Sequence, residues 1–237
     1  MKSLFFFVLV LVYSLSANAF SVRTTKYGQL VKWESDEIDV YLSPTLEQLG
    51  PSEQVYFALV DAFEIWLHEA EISLQVNFIY EDCTPGYSSA GGNTNCIAAR
   101  SSETSANEDA GGNASITYSQ NSGEIYDGDI VFFKEAGNWK FTENDDGLDF
   151  KHVALHEIGH FLGLTHSTIN KAVMYPTVNL HTQKVSSLHE DDIWGALALY
   201  DTSELDDNAS CQMSPLVTAP SISANSGLLR FLISLLF

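Results

Sequence analysis

His156-Glu157-Ile158-Gly159-His160-Phe161-Leu162-Gly163-Leu164-Thr165-His166 is the stretch on which the reading of this chain turns. Residues four apart on an α-helix emerge one turn apart on the same face, so His156 and His160 are spaced to grip one zinc ion. Glu157 follows the first histidine without being forced to ligate, and from there it can take a proton from a water and hand it to a leaving amine. Gly163 can adopt the left-handed conformation that ends a helix, so that the chain turns back and delivers His166 as third ligand. Three protein ligands leave a fourth position for water, as expected of a catalytic rather than a structural zinc. His152 stands four residues before His156 and shares its face. Three successive i, i+4 histidines spread over two turns and cannot all converge on one ion, which favours His166 over His152.

Working outward, the sequence predicts a helix from about Phe150 to Leu162 around this site. Val31-Lys32-Trp33 and Ile38 to Leu42 read as a first strand region, the latter alternating apolar and polar. Gly50-Pro51-Ser52-Glu53 reads as a helix start with Pro51 in the first helical position. Val55, Leu59, Ala62, Phe63, Trp66 and Ala70 then recur at helical spacing. Leu74 to Tyr80 alternates as a half-buried strand, whereas Glu81 to Gly112, rich in Gly, Ser and Asn, reads as a long irregular connection. Ser115 to Tyr118 and Asp129 to Phe133 read as two further strands. Ile193, Leu197 and Tyr200 give a last helix an apolar stripe.

The extended motif resembles that of the metzincin metallopeptidases, and its flanks narrow the likeness to the matrixins. Asp149-Phe150-Lys151-His152-Val153-Ala154-Leu155 resembles the lead-in to their active-site helix. Ala172-Val173-Met174-Tyr175-Pro176 is similar to their Met-turn, and Leu188 to Tyr200 to their closing helix. With the less specific N-terminal half included, the likeness covers roughly residues 26 to 201. It implies an α+β catalytic domain, a mixed twisted sheet packed on long helices with the zinc cleft below the sheet's edge strand. It also implies that Met174 underlies the ligands and that Ser115, Ile116, Thr117 and Tyr118 belong to the edge strand against which an extended substrate is laid. An unpaired strand edge binds a peptide main chain with little demand on side-chain identity. The resemblance is to a catalytic domain alone, without a hemopexin domain. The family's second, structural zinc is expected to be absent, because Val131 occupies the place of one of its histidines. Calcium is allowed by the many carboxylates but has no recognisable ligand spacing. His181 falls in the segment that shapes a substrate pocket in matrixins, but the plainer reading, a surface loop histidine, is favoured over contact with substrate.

The ends and the composition set the context. Met1 to Ala19 has the charged start, apolar run and Ala17-Asn18-Ala19 ending of a secretory signal, too short to be a membrane span. Residues 20–201 are then the catalytic domain, with no room for a cysteine-switch propeptide, and residues 202–237 a polar tail ending in a short apolar run. Membrane association is expected only if that run serves as an anchor. Cys83 and Cys96 bracket the glycine-rich loop and can close it as a disulfide, contributing roughly 3 kcal/mol by the chain-entropy model. Cys211 is left over, free or paired with another molecule. A formal net charge of −20 argues against nucleic acid or anionic membrane as partner.

The expected function is a secreted zinc endopeptidase acting on extracellular polypeptides, located outside the cell or in the periplasm of a Gram-negative bacterium. Its rivals are a catalytically weak zinc-holding adhesion protein of the same fold, and a zinc hydrolase of small amides or esters.

Overall fold

In a computed structural model of the chain, residues 20–101, 111–134, 136, 138–142, 147–177 and 187–201 are described. The elements in order are β1 (Ser21–Val22), β2 (Glu37–Leu42), a 3-10 turn (Pro44–Gln48), α1 (Ser52–Glu69), β3 (Gln75–Ile79), β4 (Asn95–Arg100), β5 (Gly112–Tyr118), β6 (Ile125–Phe133), β7 (Trp139–Lys140), β8 (Leu148–Asp149), α2 (Phe150–Phe161), β9 (Leu164–Thr165) and α3 (Glu190–Tyr200). Five strands form the main sheet in the order β3-β2-β4-β6-β5, and two-stranded ladders join β1 to β9 and β7 to β8. The first four strands of the main sheet run parallel, while β5 is added antiparallel to β6 at the edge. This is an α+β fold.

Alternation does what it should in β2, where Ile38, Val40 and Leu42 are buried and Glu37 and Asp39 are exposed. The stripe Val55, Leu59, Ala62, Phe63 and Trp66 turns one face of α1 into the core. There Phe63 packs edge-on against Phe161 of α2, and Trp66 donates its indole N–H to the Leu155 carbonyl at 2.8 Å. Trp33 donates likewise to the Phe161 carbonyl at 3.0 Å. Buried indoles need such acceptors, and these two tie the site-bearing helix to α1 and to the segment before β2. Asp149 caps α2, its carboxylate accepting from the His152 N–H at 3.1 Å.

Three expectations are corrected. The stretch taken as irregular from Glu81 to Gly112 contains β4, a central strand whose Cys96, Ile97, Ala98 and Ala99 are all buried. A strand covered on both faces has no alternation to detect, and two alanines carry little β signal. Val31 to Trp33 is no strand; Lys32 makes only an isolated bridge to Glu124. Pro51 is the N-cap of α1 rather than its first helical residue. In addition β5 starts at Gly112 and β6 at Ile125, both earlier than the sequence indicated.

Cys83 and Cys96 are joined as a disulfide, which pins the glycine-rich loop to the start of β4. The same loop is bonded to β6, because the Asp129 carboxylate accepts from the N–H groups of Gly86 at 2.8 Å and Cys96 at 3.0 Å. Asp127, two residues earlier on the same face, has no such partners: it is 2% exposed and its Oδ1 is unsatisfied. Burial and the neighbouring Asp129 charge raise its pKa from 3.8 to about 6. Because the folded value is the higher one, the stability associated with neutral Asp127 is complete below pH 3.8 and is lost as pH rises through about 6. Asp127→Asn should therefore melt above wild type at pH 7.5, with the gap shrinking as the pH falls towards 4. A gap independent of pH would sink the assignment. The leader, Glu135, His181, Cys211 and the terminal apolar run lie outside the described residues. Among the described residues no helix is long and apolar enough to cross a membrane.

Candidate active site

Helical spacing, a left-handed turn and a main-chain wall bring the three motif histidines together. His156 and His160 project from α2 one turn apart, their rings 4.8 Å apart at the centroids. Leu162 is the C-cap, and Gly163 follows with φ of 101°, a conformation that side-chain-bearing residues rarely adopt. This reversal carries β9 back beside the helix and sets His166 next to His160, with their Nε2 atoms 3.2 Å apart. One ligand atom from each of His156, His160 and His166 lies within 4.8 Å of the others. His152 is not among them. It is buried one turn upstream, in agreement with the preference for His166.

Second contacts decide which nitrogens are offered. His156 Nδ1 lies 2.7 Å from the Val173 carbonyl, and His160 Nδ1 lies 3.0 Å from the Leu164 carbonyl. A carbonyl can only accept, so both Nδ1 atoms carry the proton and both Nε2 lone pairs are free for a metal. Burial pushes His156 down to about 3 and His160 down to about 4, with the neighbouring histidine charges adding to the effect. His166 is lowered too, by burial. All three are thus neutral at pH 7, the state in which imidazole binds zinc. Ligand type, tautomer and convergence fit a zinc ion with an open fourth position.

Glu157 is 6% exposed and points from α2 toward the edge strand. Its carboxylate accepts the Ala114 N–H, and burial nonetheless raises its pKa to about 7. Gly112 also lies against it; a Cβ there would meet Glu157 Cγ at 3.0 Å. The ladder explains why Ala114 is available. Phe133 donates to the Gly111 carbonyl, so residues 113, 115 and 117 turn their main-chain groups toward β6. Gly112, Ala114 and Ile116 turn theirs out to the free edge. Of the four residues expected from the sequence, Ile116 presents its main chain to the free edge, while Ser115 and Thr117 spend theirs on β6. Tyr118 follows a register shift. Gly112 and Ala114 were missed because nothing in their types marks them. Only the register does.

Met174 is 1% exposed and abuts Gly159 of α2, where a Cβ would overlap its sulfur. The profile of the matrixin family matches residues 32–201, most of the chain. The chain belongs to the matrixins.

Matrixin relatives match it over shorter stretches. Matrix metalloproteinase-2 of Drosophila melanogaster is 44% identical over 85 residues, 35% of this chain and 11% of that protein. Metalloendoproteinase 4-MMP of Arabidopsis thaliana is 36% identical over 90 residues, 36% of this chain and 24% of its own length. Matrilysin of Rattus norvegicus is 45% identical over 73 residues, 31% of this chain and 27% of that protein. The matched part thus spans about a tenth to a quarter of these relatives. Membership of the matrixins implies a catalytic zinc, and among the described residues the His156, His160 and His166 trio could hold it.

Proposed function

We propose that this matrixin is a secreted zinc-dependent endopeptidase that cuts extended segments of extracellular polypeptides. The observation that carries the reading is the position of Glu157, next to His156 on α2 and bonded to the outward-facing N–H of Ala114 on the edge strand. When bound, zinc would supply Lewis acidity that polarises the scissile carbonyl and acidifies a water. His156, His160 and His166 would hold it through their Nε2 atoms. Glu157 would accept the proton of the attacking water at its carboxylate and deliver it to the departing nitrogen. The free edge of β5 would bind the substrate main chain, with the outward N–H and C=O groups of Gly112 and Ile116 available and the Ala114 carbonyl beside them. Met174 would support the ligands and take no part in proton transfer. Secretion follows from the leader read in residues 1–19.

Purified protein should cut denatured casein or gelatin, lose that activity with a zinc chelator and regain it with added zinc. His166→Ala should weaken zinc binding itself. Cutting that survives both treatments would refute the zinc assignment. A folded, zinc-loaded protein that cuts nothing would favour the adhesion reading, and products confined to small amides or esters would favour the third.

A further inference from the structure

Two consecutive carboxylates at the start of α3, Asp191 and Asp192, are buried although their helix carries no ligand. Asp192 is 1% exposed, and three backbone N–H groups converge on it: Val173 at 2.7 Å and His189 at 3.0 Å on Oδ2, and Met174 at 3.0 Å on Oδ1. The His189 bond belongs to the helix cap, as a capping-box acceptor should. The other two reach across 18 and 19 residues of sequence to the turn beneath the histidines. A buried carboxylate is costly unless it is fully bonded, so this geometry is held firmly once formed.

The turn gripped in this way carries the acceptor of the first ligand. The Met174 N–H, bonded to Asp192 at 3.0 Å, shares its peptide unit with the Val173 carbonyl, which accepts from His156 Nδ1 at 2.7 Å. The path is therefore continuous: carboxylate, peptide unit, carbonyl, imidazole. A hydrogen bond to a peptide N–H polarises the carbonyl of the same planar unit and fixes where that carbonyl points. The carbonyl in turn fixes the ring orientation and the tautomer of His156, and hence the direction of its Nε2 lone pair. Asp191 acts elsewhere. It accepts from the Ser167 hydroxyl and from the Phe20 N–H, neither of which bonds to a ligand ring.

We propose that Asp192 is a positioning residue for the metal centre, setting zinc affinity through the Val173 carbonyl and His156 rather than merely capping α3. The proposal rests on the reading that the histidine trio holds zinc.

The test compares Asp192→Asn and Asp192→Ala with Glu69→Ala in the full chain. Glu69 accepts the Leu188 N–H at 2.7 Å just before the same helix and has no path to a ligand, so it reports on loss of anchoring alone. Zinc dissociation constants are read by chelator competition, thermal midpoints without metal, and cleavage of a peptide separately. Asp192→Ala should raise the zinc dissociation constant by about 10- to 100-fold, the range seen when outer partners of ligating histidines are removed. Asp192→Asn keeps one acceptor oxygen and should give a smaller rise in the same direction. Glu69→Ala should lower the midpoint yet leave zinc affinity within about twofold, below the tenfold onset of a second-shell effect. If Asp192→Ala does not fold, Asp192→Asn carries the decision. Wild-type zinc affinity in a folded Asp192 variant would overturn the proposal, as would an equal loss in Glu69→Ala. A wild-type protein that binds zinc tightly but cuts nothing would refute the peptidase reading and leave this one standing.

Discussion

Glu157→Gln should lower the turnover of a peptide substrate by about 10²- to 10⁴-fold, the usual contribution of a positioned general base. The substitution keeps the size of the side chain and leaves an oxygen for the Ala114 N–H. What it removes is the capacity to take a proton. None of the three converging histidines is touched, so zinc affinity should stay near wild type, and the thermal midpoint should not fall. That combination separates loss of chemistry from loss of the metal or of the fold. Turnover within tenfold of wild type in the zinc-loaded variant would remove Glu157 from the mechanism. A large loss of zinc would mean that it does structural work instead.

Gly163→Ala should be strongly damaging although it leaves every ligand in place. Two penalties combine there. At φ of 101° an alanine is strained, and its Cβ would overlap the Val31 carbonyl oxygen. The overlap is with main chain, which cannot rotate aside. The Gly163 carbonyl also accepts the Arg23 N–H at 3.0 Å, so any displacement disturbs the β1–β9 ladder as well. A destabilisation of about 2–4 kcal/mol is expected for such a site. Since His166 follows three residues later, zinc should also bind more weakly. Denaturant unfolding without metal and chelator competition would read the two effects independently. If both matched wild type, the turn would not be what brings His166 to the other ligands.

The histidines and the turn were legible because they depend on local geometry. Helical periodicity puts His156 and His160 on one face, and a glycine at the right offset announces the reversal. The choice of His166 over His152 followed from the same periodicity. The helices α1 and α3 were readable from their apolar stripes, and β2 and β3 from alternation. What failed was non-local. Cys96 to Ala99 became a central strand only because β2 and β6 flank it and burial covers both faces. The roles of Gly112 and Ala114 come from a pairing register that no residue type encodes. Nothing in its residue type sets Asp192 apart from Glu190 and Asp191 in the first turn of α3. Its importance depends on which loop folds beneath it.

The supports of the metal centre are drawn from both ends of the domain. Val31 and Arg23 press on the Gly163 turn from one side, and Asp192 of α3 grips Val173 and Met174 from the other. Synthesis proceeds from the N-terminus, so α3 is among the last parts of the domain to leave the ribosome. Until it docks, the turn whose carbonyl orients His156 lacks its two bonds to Asp192. On this arrangement a partly made chain carries all three histidines and Glu157 yet lacks a well-formed centre, which would spare the cell a protease that works before it is finished. A fragment ending at Ser187 should accordingly hold zinc far less tightly than the domain through Asp201.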